Sequence, residues 1–220
     1  PDAPPRADNI VTAIGDVAQQ VLDAQTGERT TPAPPNHRVP PHEPVLPPGP
    51  ALDLLARRAP RTTAHQSDDA TAELPRTGDD VADVRDALLS LDRSYLAVQG
   101  PPGTGKTHVG AHVVSALVRE HGWRVGVVAQ SHAAVEHLLD CIVAAGVPGE
   151  QVGKAPQSAG VERAWTVLTK AGYASFAEGH TEAGRGYVVG GTAWDLTHEE
   201  RVARGQLDLV VVDEAGQYAL

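Results

Sequence analysis

The chain has 220 residues, enough for one substantial domain with an appendage or for two small domains. Its 18 basic and 28 acidic residues give a net charge of −10, which excludes a generally basic surface that grips nucleic-acid phosphates. A local groove lined by backbone amides remains compatible with this charge. The sequence has no apolar run of bilayer length and no signal segment, and its one cysteine, Cys141, cannot form an internal disulfide. We therefore expect no membrane partner and a cytoplasmic location.

Residues 1–78 are predicted to form a proline-rich N-terminal segment that carries no recognisable chemistry. Thirteen of the 18 prolines lie within residues 1–60. Apolar residues at helical spacing predict one amphipathic helix over Asp8–Ala24, with Asp8 as its N-cap. The stretch Thr31–Pro50 holds too many prolines for regular structure, so we expect an extended linker there.

Residues 79–220 alternate between apolar runs and helical stretches, which predicts an α/β domain with a parallel sheet flanked by helices. The predicted strands are Tyr95–Gln99, Val125–Ala129, Tyr187–Gly191 and Leu207–Val212. The predicted helices are Asp80–Leu91, Lys106–His121 and Ala133–Ala145. We interpret Gly149–Gly186 as an insertion with one helical patch, Val161–Ala171.

Residues 100–107 read GPPGTGKT, which matches the phosphate-loop pattern G-x-x-x-x-G-K-[ST]. The glycines let the backbone turn tightly and point its amides at phosphate oxygens, and the following helix adds the positive end of its dipole. Lys106 would reach the β- and γ-phosphates of ATP, and Thr107 would bind Mg²⁺. A chance glycine-rich turn is the alternative, and the flanking strand and helix argue against it. The predicted nucleotide-binding residues of the loop are Gly100, Pro101, Pro102, Gly103, Thr104, Gly105, Lys106 and Thr107.

A second motif, LDLVVVDEAGQ, ends a predicted buried strand with two adjacent carboxylates. In phosphate-loop enzymes a strand-end aspartate holds Mg²⁺, and Asp213 fits that role. Glu214 would orient or deprotonate the attacking water, so Lys106 and Glu214 are the predicted catalytic residues. The alternative is a strand that simply leaves the sheet at an acidic, solvated turn.

Three segments, in the family's order, resemble superfamily 1 helicases. They are QGPPGTGKT at 99–107, VGVVAQSHAAVEHLL at 125–139 and VVVDEAGQ at 210–217. Together with VVGGTAW at 188–194, the wording is similar to the helicase half of bacterial proteins that join a RecB-like nuclease to a helicase. The resemblance covers residues 79–220. It implies an N-terminal RecA-like domain that uses ATP and Mg²⁺ to move along single-stranded nucleic acid, with DNA favoured over RNA.

The resemblance also implies roles for further residues. Gln217 would sense the γ-phosphate of ATP, and Gln130, Ser131 and His132 would contact the sugar-phosphate backbone of the single strand. Gly190–Ala193 would be a further contact on the same face. From the residues alone, Ser131 caps the next helix, and the free amides there either hold a phosphate or serve only the helix.

The resemblance implies two partners as well. A second RecA-like domain would supply arginine fingers, and a nuclease domain in the parent chain is a further candidate. The chain has no methionine and stops at Leu220, so we expect it to be a fragment. Without the second RecA-like domain and its arginine fingers, this fragment would hydrolyse ATP feebly. Two alternatives stay open, a ring-type ATPase that remodels proteins and a non-catalytic switch driven by ATP binding. His108 and His112, spaced for a metal, lack a third ligand in the sequence.

Overall fold

The computed structural model describes five stretches of the chain. They are residues 8–27, 46–63, 76–101, 103–157 and 161–217. Most of the predicted linker, and Pro102 in the predicted phosphate loop, lie outside the described residues. The chain divides into two compact units, one of residues 1–9, 76–85 and 98–220 and the other of residues 10–75 and 86–97. No helix in the described stretches combines the length and the apolarity needed to cross a bilayer.

Five parallel strands form the sheet of the first unit. They are β1 Arg124–Val128, β2 Val152–Lys154, β3 Thr166–Val167, β4 Tyr187–Gly191 and β5 Leu209–Val212. Their order across the sheet is β3-β2-β4-β1-β5, and each neighbouring pair is parallel. Because parallel strands run the same way, their carboxyl ends all lie at one edge of the sheet.

Seven α-helices lie within the described residues. They are α1 Asp8–Gly27, α2 Pro50–Leu55, α3 Asp80–Ser90, α4 Lys106–His121, α5 His132–Ala144, α6 Gly172–Glu182 and α7 Ala193–Leu196. The four predicted helices are confirmed as α1, α3, α4 and α5, and α4 has the predicted bounds at both ends. Gly122 stops α4 because it adopts the left-handed conformation (φ 67°), which is favourable only without a side chain.

Helices cover both faces of the sheet, so the predicted fold class, α/β with a parallel sheet flanked by helices, is confirmed. Side chains of α4 and α5 pack on one face, and those of α6 pack on the other. Strand β4 shows the division directly, since Val188 points into the first cluster while Tyr187 and Val189 point into the second. All three residues are fully buried, as expected for an inner strand of a sheet covered on both sides.

Helix α5 approaches β4 closely because β4 ends in glycine. A β-carbon on Gly190 would lie 2.7 Å from Leu139 Cδ1 and 2.8 Å from Val135 Cγ1, closer than real contacts allow. Both neighbours belong to α5 and are fully buried. The missing side chain therefore sets the distance between the helix and the sheet.

Two predictions about the chain around the sheet are wrong. Residues 94–100 carry no strand, so the run Tyr95–Gln99 stays outside the sheet. A short apolar run becomes a strand only when a neighbour supplies its ladder of hydrogen bonds, and none of the described strands pairs with it. Val98 is accordingly half exposed.

The predicted helical patch Val161–Ala171 is also wrong. This stretch contains β3, and the helix of the region is α6, which starts only at Gly172. Trp165 explains the difference, because its side chain is buried and its ring nitrogen donates a hydrogen bond to Asp140 Oδ1 (3.0 Å). Trp165 thus anchors an irregular segment to the core, whereas Val161 and Val167 are more than half exposed and form no apolar helix face.

The second unit is organised around a buried carboxylate. Asp53 of α2 is fully buried and forms an ion pair with Arg61. The Ser94 hydroxyl donates a hydrogen bond to Asp53 Oδ2 (2.9 Å) and accepts one from the Arg61 amide (3.1 Å). The Tyr95 hydroxyl donates to the Arg58 carbonyl (2.7 Å). These contacts join the chain around α2 to the chain that follows α3.

An ion pair fastens the amino-terminal ends of β1 and β5. Arg124 Nε donates to Asp208 Oδ2 (2.8 Å) and Arg124 Nη2 donates to Asp208 Oδ1 (2.6 Å), and the Arg124 amide adds a bond to Oδ2 (2.8 Å). These hydrogen bonds from Arg124 hold the pKa of the Asp208 carboxyl below its ordinary value. The pair is about one third exposed, so solvent weakens it.

We expect Asp208→Asn to lower the free energy of unfolding by about 1 kcal/mol at neutral pH. Because the pKa of Asp208 is depressed in the folded state, the wild-type advantage is complete above the ordinary aspartate value of about 3.9 and is lost as the pH falls through the folded-state pKa. Urea unfolding of both proteins at pH 7 and near pH 3 measures this. Glu199→Gln is the control, since its pair with Arg204 is more than half exposed and should matter little. Equal stability of Asp208→Asn and wild type at pH 7 would contradict the assignment.

Candidate nucleotide site and nucleic-acid corner

The turn before α4 depends on two glycines in the left-handed conformation. Gly103 has φ 80° and Gly105 has φ 82°, values that a residue with a side chain adopts only with strain. The Thr104 hydroxyl closes the turn by donating a hydrogen bond to the Pro101 carbonyl (2.8 Å). A β-carbon on Gly100 would lie only 2.7 Å from Thr104 Oγ1, so this glycine is needed for the same turn.

Positive groups converge on the inside of this loop. Helix α4 starts at Lys106 directly after Gly105, which has no side chain to cap the amides of the first turn. Lys106 Nζ lies over the loop, where it donates to the carbonyls of Gly100 (2.6 Å) and Pro101 (2.8 Å). The ammonium and the uncapped N-terminus of α4 thus belong to one short loop, a combination that can bind phosphate groups.

A cavity of about 680 Å³ opens beside the loop, between α4 and α5. Its size lies within the range of small-molecule sites. The loop and α4 contribute part of its wall and α5 contributes the rest. The lining residues are Gly103, Gly105, Lys106, Thr107, His108, Ala111, His112, His137, Cys141, Ala144 and Ala145.

The acidic pair follows β5 at the carboxyl edge of the sheet. The Asp213 amide donates to the Val128 carbonyl at the end of β1 (2.9 Å), which fixes Asp213 beside that strand. Glu214 has φ 53°, and its amide donates to Asp213 Oδ1 (2.9 Å), so the chain turns sharply between the two carboxylates. Glu214 is exposed, and Asp213 is partly buried.

The pKa of Cys141, a residue that lines the cavity, reports that the charge of Asp213 is nearby. Burial raises the pKa of the Cys141 thiol above its ordinary value, and the negative charges of Asp140 and Asp213 raise it further. Cys141 lines the same cavity as Lys106 and Thr107. Asp213 therefore lies within electrostatic reach of the space that the phosphate loop borders.

The predicted nucleic-acid residues lie at the turn from β1 into α5, here called the β1–α5 corner (residues 130–132). The Ser131 hydroxyl caps α5 by accepting a hydrogen bond from the Ala134 amide (3.1 Å). Gln130 Nε2 donates to the backbone carbonyl of Gln217, the residue predicted to sense the γ-phosphate. His132 Nδ1 lies 3.1 Å from Lys154 Nζ. The corner thus contacts both the end of the acidic motif and the end of β2.

Other residues singled out in the sequence have local partners. After β4, Asp195 Oδ2 accepts hydrogen bonds from the Thr192 amide (3.0 Å) and hydroxyl (2.9 Å), which closes a capping box at the start of α7. The ring centroids of His108 and His112 lie 4.1 Å apart with the rings tilted by 47°, and the described residues hold no cluster of three or more metal-ligating side chains. Lys154, fully buried at the end of β2, was missed because it lies in the stretch interpreted as an insertion.

These features define a class of protein. An α/β domain in which a glycine-rich loop leads through a lysine into a helix, with an acidic pair at the strand edge, is a P-loop nucleotide-binding domain. The family model described as an AAA domain matches residues 79–220, more than half of the chain. The chain belongs to this AAA-domain family.

Two curated proteins match short parts of the chain. The chain is 47% identical over 53 residues to the Regulator of nonsense transcripts 1 homolog of Drosophila melanogaster. This match covers 24% of this chain and 4% of that protein. The chain is 48% identical over 48 residues to the ATP-dependent helicase NAM7 of Saccharomyces cerevisiae. This match covers 22% of this chain and 5% of that protein. The matches therefore span only a small part of these relatives' length, and no solved structure matches the chain. They agree with the predicted resemblance to superfamily 1 helicases, whereas the similarity to nuclease–helicase fusion proteins stays a prediction.

We expect Cys141 to react slowly with iodoacetamide at neutral pH, because its raised pKa leaves little thiolate. Asp213→Asn should speed the reaction about twofold, since it removes a nearby negative charge. Mass spectrometry across a pH series gives the rate without ambiguity, because the chain has one cysteine. Glu182→Gln, on the exposed surface of α6, is the matched control. Identical rates for Asp213→Asn and wild type would place Asp213 away from the cavity.

Proposed function

We propose that this chain is the ATP-binding part of a superfamily 1 helicase, which hydrolyses ATP with Mg²⁺ and moves along single-stranded nucleic acid in the cytoplasm. One observation carries the proposal: the phosphate loop, with Lys106, borders a cavity that Cys141 also lines, and the charge of Asp213 acts on the Cys141 thiol. The similarity to an ATP-dependent helicase and to a regulator of nonsense transcripts supports a nucleic-acid partner. DNA is favoured over RNA by the resemblance to nuclease–helicase fusion proteins.

The loop residues would hold the triphosphate. Backbone N–H groups from Gly103 to Thr107 would donate to phosphate oxygens, and the Lys106 ammonium would offset the negative charge that these oxygens carry. The donors present fit Mg²⁺, because this ion takes one or two protein oxygens and completes its shell with phosphate and water. Thr107 would supply a hydroxyl and Asp213 a carboxylate. Bound Mg²⁺ would neutralise charge between the phosphates.

Glu214 would act on the attacking water. Its carboxylate is exposed and follows Asp213 directly, so the two acids can serve one bound nucleotide in different roles. Gln217, which follows in the 3₁₀ turn Ala215–Gln217, would report on the γ-phosphate.

The β1–α5 corner would hold the sugar-phosphate backbone of a single strand. Ser131 and the first amides of α5 supply the hydrogen-bond donors, and this local grip is compatible with a net charge of −10. Because Gln130 donates to the Gln217 carbonyl, the corner is in direct contact with the motif that would respond to ATP. A second RecA-like domain would complete the motor, and a nuclease domain in the parent chain is a further candidate partner.

We expect Lys106→Ala to weaken the binding of a fluorescent ATP analogue by about tenfold or more, because it removes a charge-assisted contact to the phosphates. Equilibrium fluorescence titration measures the affinity. Lys170→Ala removes the exposed lysine of the insertion region and should bind like wild type. An unchanged affinity in Lys106→Ala would contradict the assignment of the loop.

We expect single-stranded oligonucleotide to raise ATP turnover by the full-length protein several-fold. Glu214→Gln should lower turnover by about a hundredfold while ATP and oligonucleotide still bind, because only activation of the water is lost. Steady-state phosphate release measures turnover, and fluorescence anisotropy measures binding. Hexamers without stimulation would indicate the ring ATPase instead, and full function in Glu214→Gln would indicate a non-catalytic switch.

A further inference from the structure

Lys154 is a fully buried cation at the carboxyl end of β2, in contact with the first turn of α5. Its Nζ donates to Glu136 Oε1 (3.0 Å), to the Ala155 carbonyl (3.1 Å) and to His132 Nδ1 (3.1 Å). An ammonium has three protons, so these three acceptors satisfy it completely. Such complete pairing is what allows a charge to stay buried at this position.

The hydrogen bond from Lys154 fixes the tautomer of His132. An ammonium carries no lone pair, so Nδ1 of the ring has to be the acceptor and cannot bear a proton. In a neutral ring the proton then sits on Nε2, which becomes an N–H donor. Burial lowers the pKa of His132, and the charge of Lys154 lowers it further, so the ring is neutral at pH 7.

The other charges near the ring do not reverse this state. Asp195 and Glu136 act to raise the pKa of His132, whereas Lys170 acts with Lys154 to lower it. The balance of these groups leaves the pKa below its ordinary value. His132 therefore keeps a single proton in a defined place.

The donor lies where the single strand is proposed to bind. His132 is the first residue of α5 and follows the cap Ser131 at the end of β1. Its side chain is only partly buried, and its Nε2 has no hydrogen-bond partner among the residues that the structure describes. A fixed N–H beside the free amides of a helix N-terminus is suited to a phosphate or sugar oxygen.

We propose that Lys154 is a positioning residue that fixes His132 as an Nε2–H donor to the backbone oxygens of single-stranded nucleic acid. This inference rests on the proposed function of the β1–α5 corner. It goes beyond the resemblance, which points to His132 but leaves its protonation and Lys154 unassigned.

The contact with Glu136 alone does not explain the arrangement. Arg163 Nη2 lies 2.7 Å from Glu136 Oε2, so that carboxylate has a second cation as partner. A purely structural ion pair would need no contact with His132. The third hydrogen bond of Lys154 instead places a buried donor on a partly exposed ring at the proposed binding surface.

The test compares the wild-type protein with Lys154→Met. Heteronuclear NMR of the histidine rings should show His132 as the Nε2–H tautomer in wild type. In Lys154→Met the tautomers should mix and the pKa of His132 should rise. The affinity for a fluorescein-labelled single-stranded oligonucleotide should fall about three- to tenfold at pH 7, which corresponds to one hydrogen bond. An Nδ1–H tautomer in wild type, or unchanged affinity in Lys154→Met, would overturn the proposal.

A second pair of variants covers the case in which Lys154→Met does not fold. The amide nitrogen of His132→Gln reaches the place of Nε2, whereas that of His132→Asn reaches only the place of Nδ1. We expect the glutamine variant to bind the oligonucleotide like wild type and the asparagine variant to bind it about three- to tenfold more weakly. Equal loss in both would overturn the donor role.

Binding of the fluorescent ATP analogue separates this inference from the proposed function. It should stay unchanged in the variants of Lys154 and His132, since neither residue borders the cavity. If the wild-type protein did not bind the ATP analogue, the nucleotide site would be refuted, but the tautomer of His132 measured by NMR would still stand. Absence of oligonucleotide binding by wild type, with ATP bound normally, would refute the contact of His132 with nucleic acid.

Discussion

The parallel pairing of β1 with β4 on one side and β5 on the other is the constraint on which the candidate site depends. Val128 at the end of β1 is in register with Gly191 of β4 and Val212 of β5. The chain therefore leaves all three strands at the same edge of the sheet. This shared edge brings the β1–α5 corner close to the acidic pair, although the two lie at least 81 residues apart along the chain (from residue 132 to residue 213). Any change that shifted this register would separate them.

The net charge of the molecule is negative, whereas the candidate site gathers positive groups locally. A net charge of −10 gives the chain no general attraction for phosphates, and it has only three lysines. Two of them are used locally, because Lys106 starts α4 inside the loop and Lys154 ends β2 against α5. Helix N-termini and backbone amides supply the remaining positive character, and they add nothing to the net charge. Composition therefore excludes a basic surface without excluding an anion site.

The sequence predicted those parts of the fold in which local and tertiary preferences agree. Glycines with positive φ flank helix α4 on both sides, so the sequence itself marks where this helix begins and ends. Strands β2 and β3 have three and two residues, too few for a recognisable pattern, and α6 contains two glycines that hide its helical character. The loop at residues 100–107 and the acidic pair are recognisable as sequence motifs, and the roles of their residues stay predictions. Lys154 could not be recognised in this way, because its partners on α5 are set by the packing of α5 over Gly190.

That packing also places the β1–α5 corner between two different parts of the domain. On one side Gln130 holds the backbone of Gln217, a residue in the turn that follows the acidic pair. On the other side Lys154 contacts His132 and Glu136 in the first two turns of α5. The corner is therefore clamped between a turn at the edge of the sheet and a buried strand in its interior. Because the cation of Lys154 is buried and fully paired, the interior contact is the more rigid of the two. Under the proposed function, a shift of Gln217 would therefore turn the corner about the Lys154 contact, and the donors at Ser131 and His132 would change direction with it.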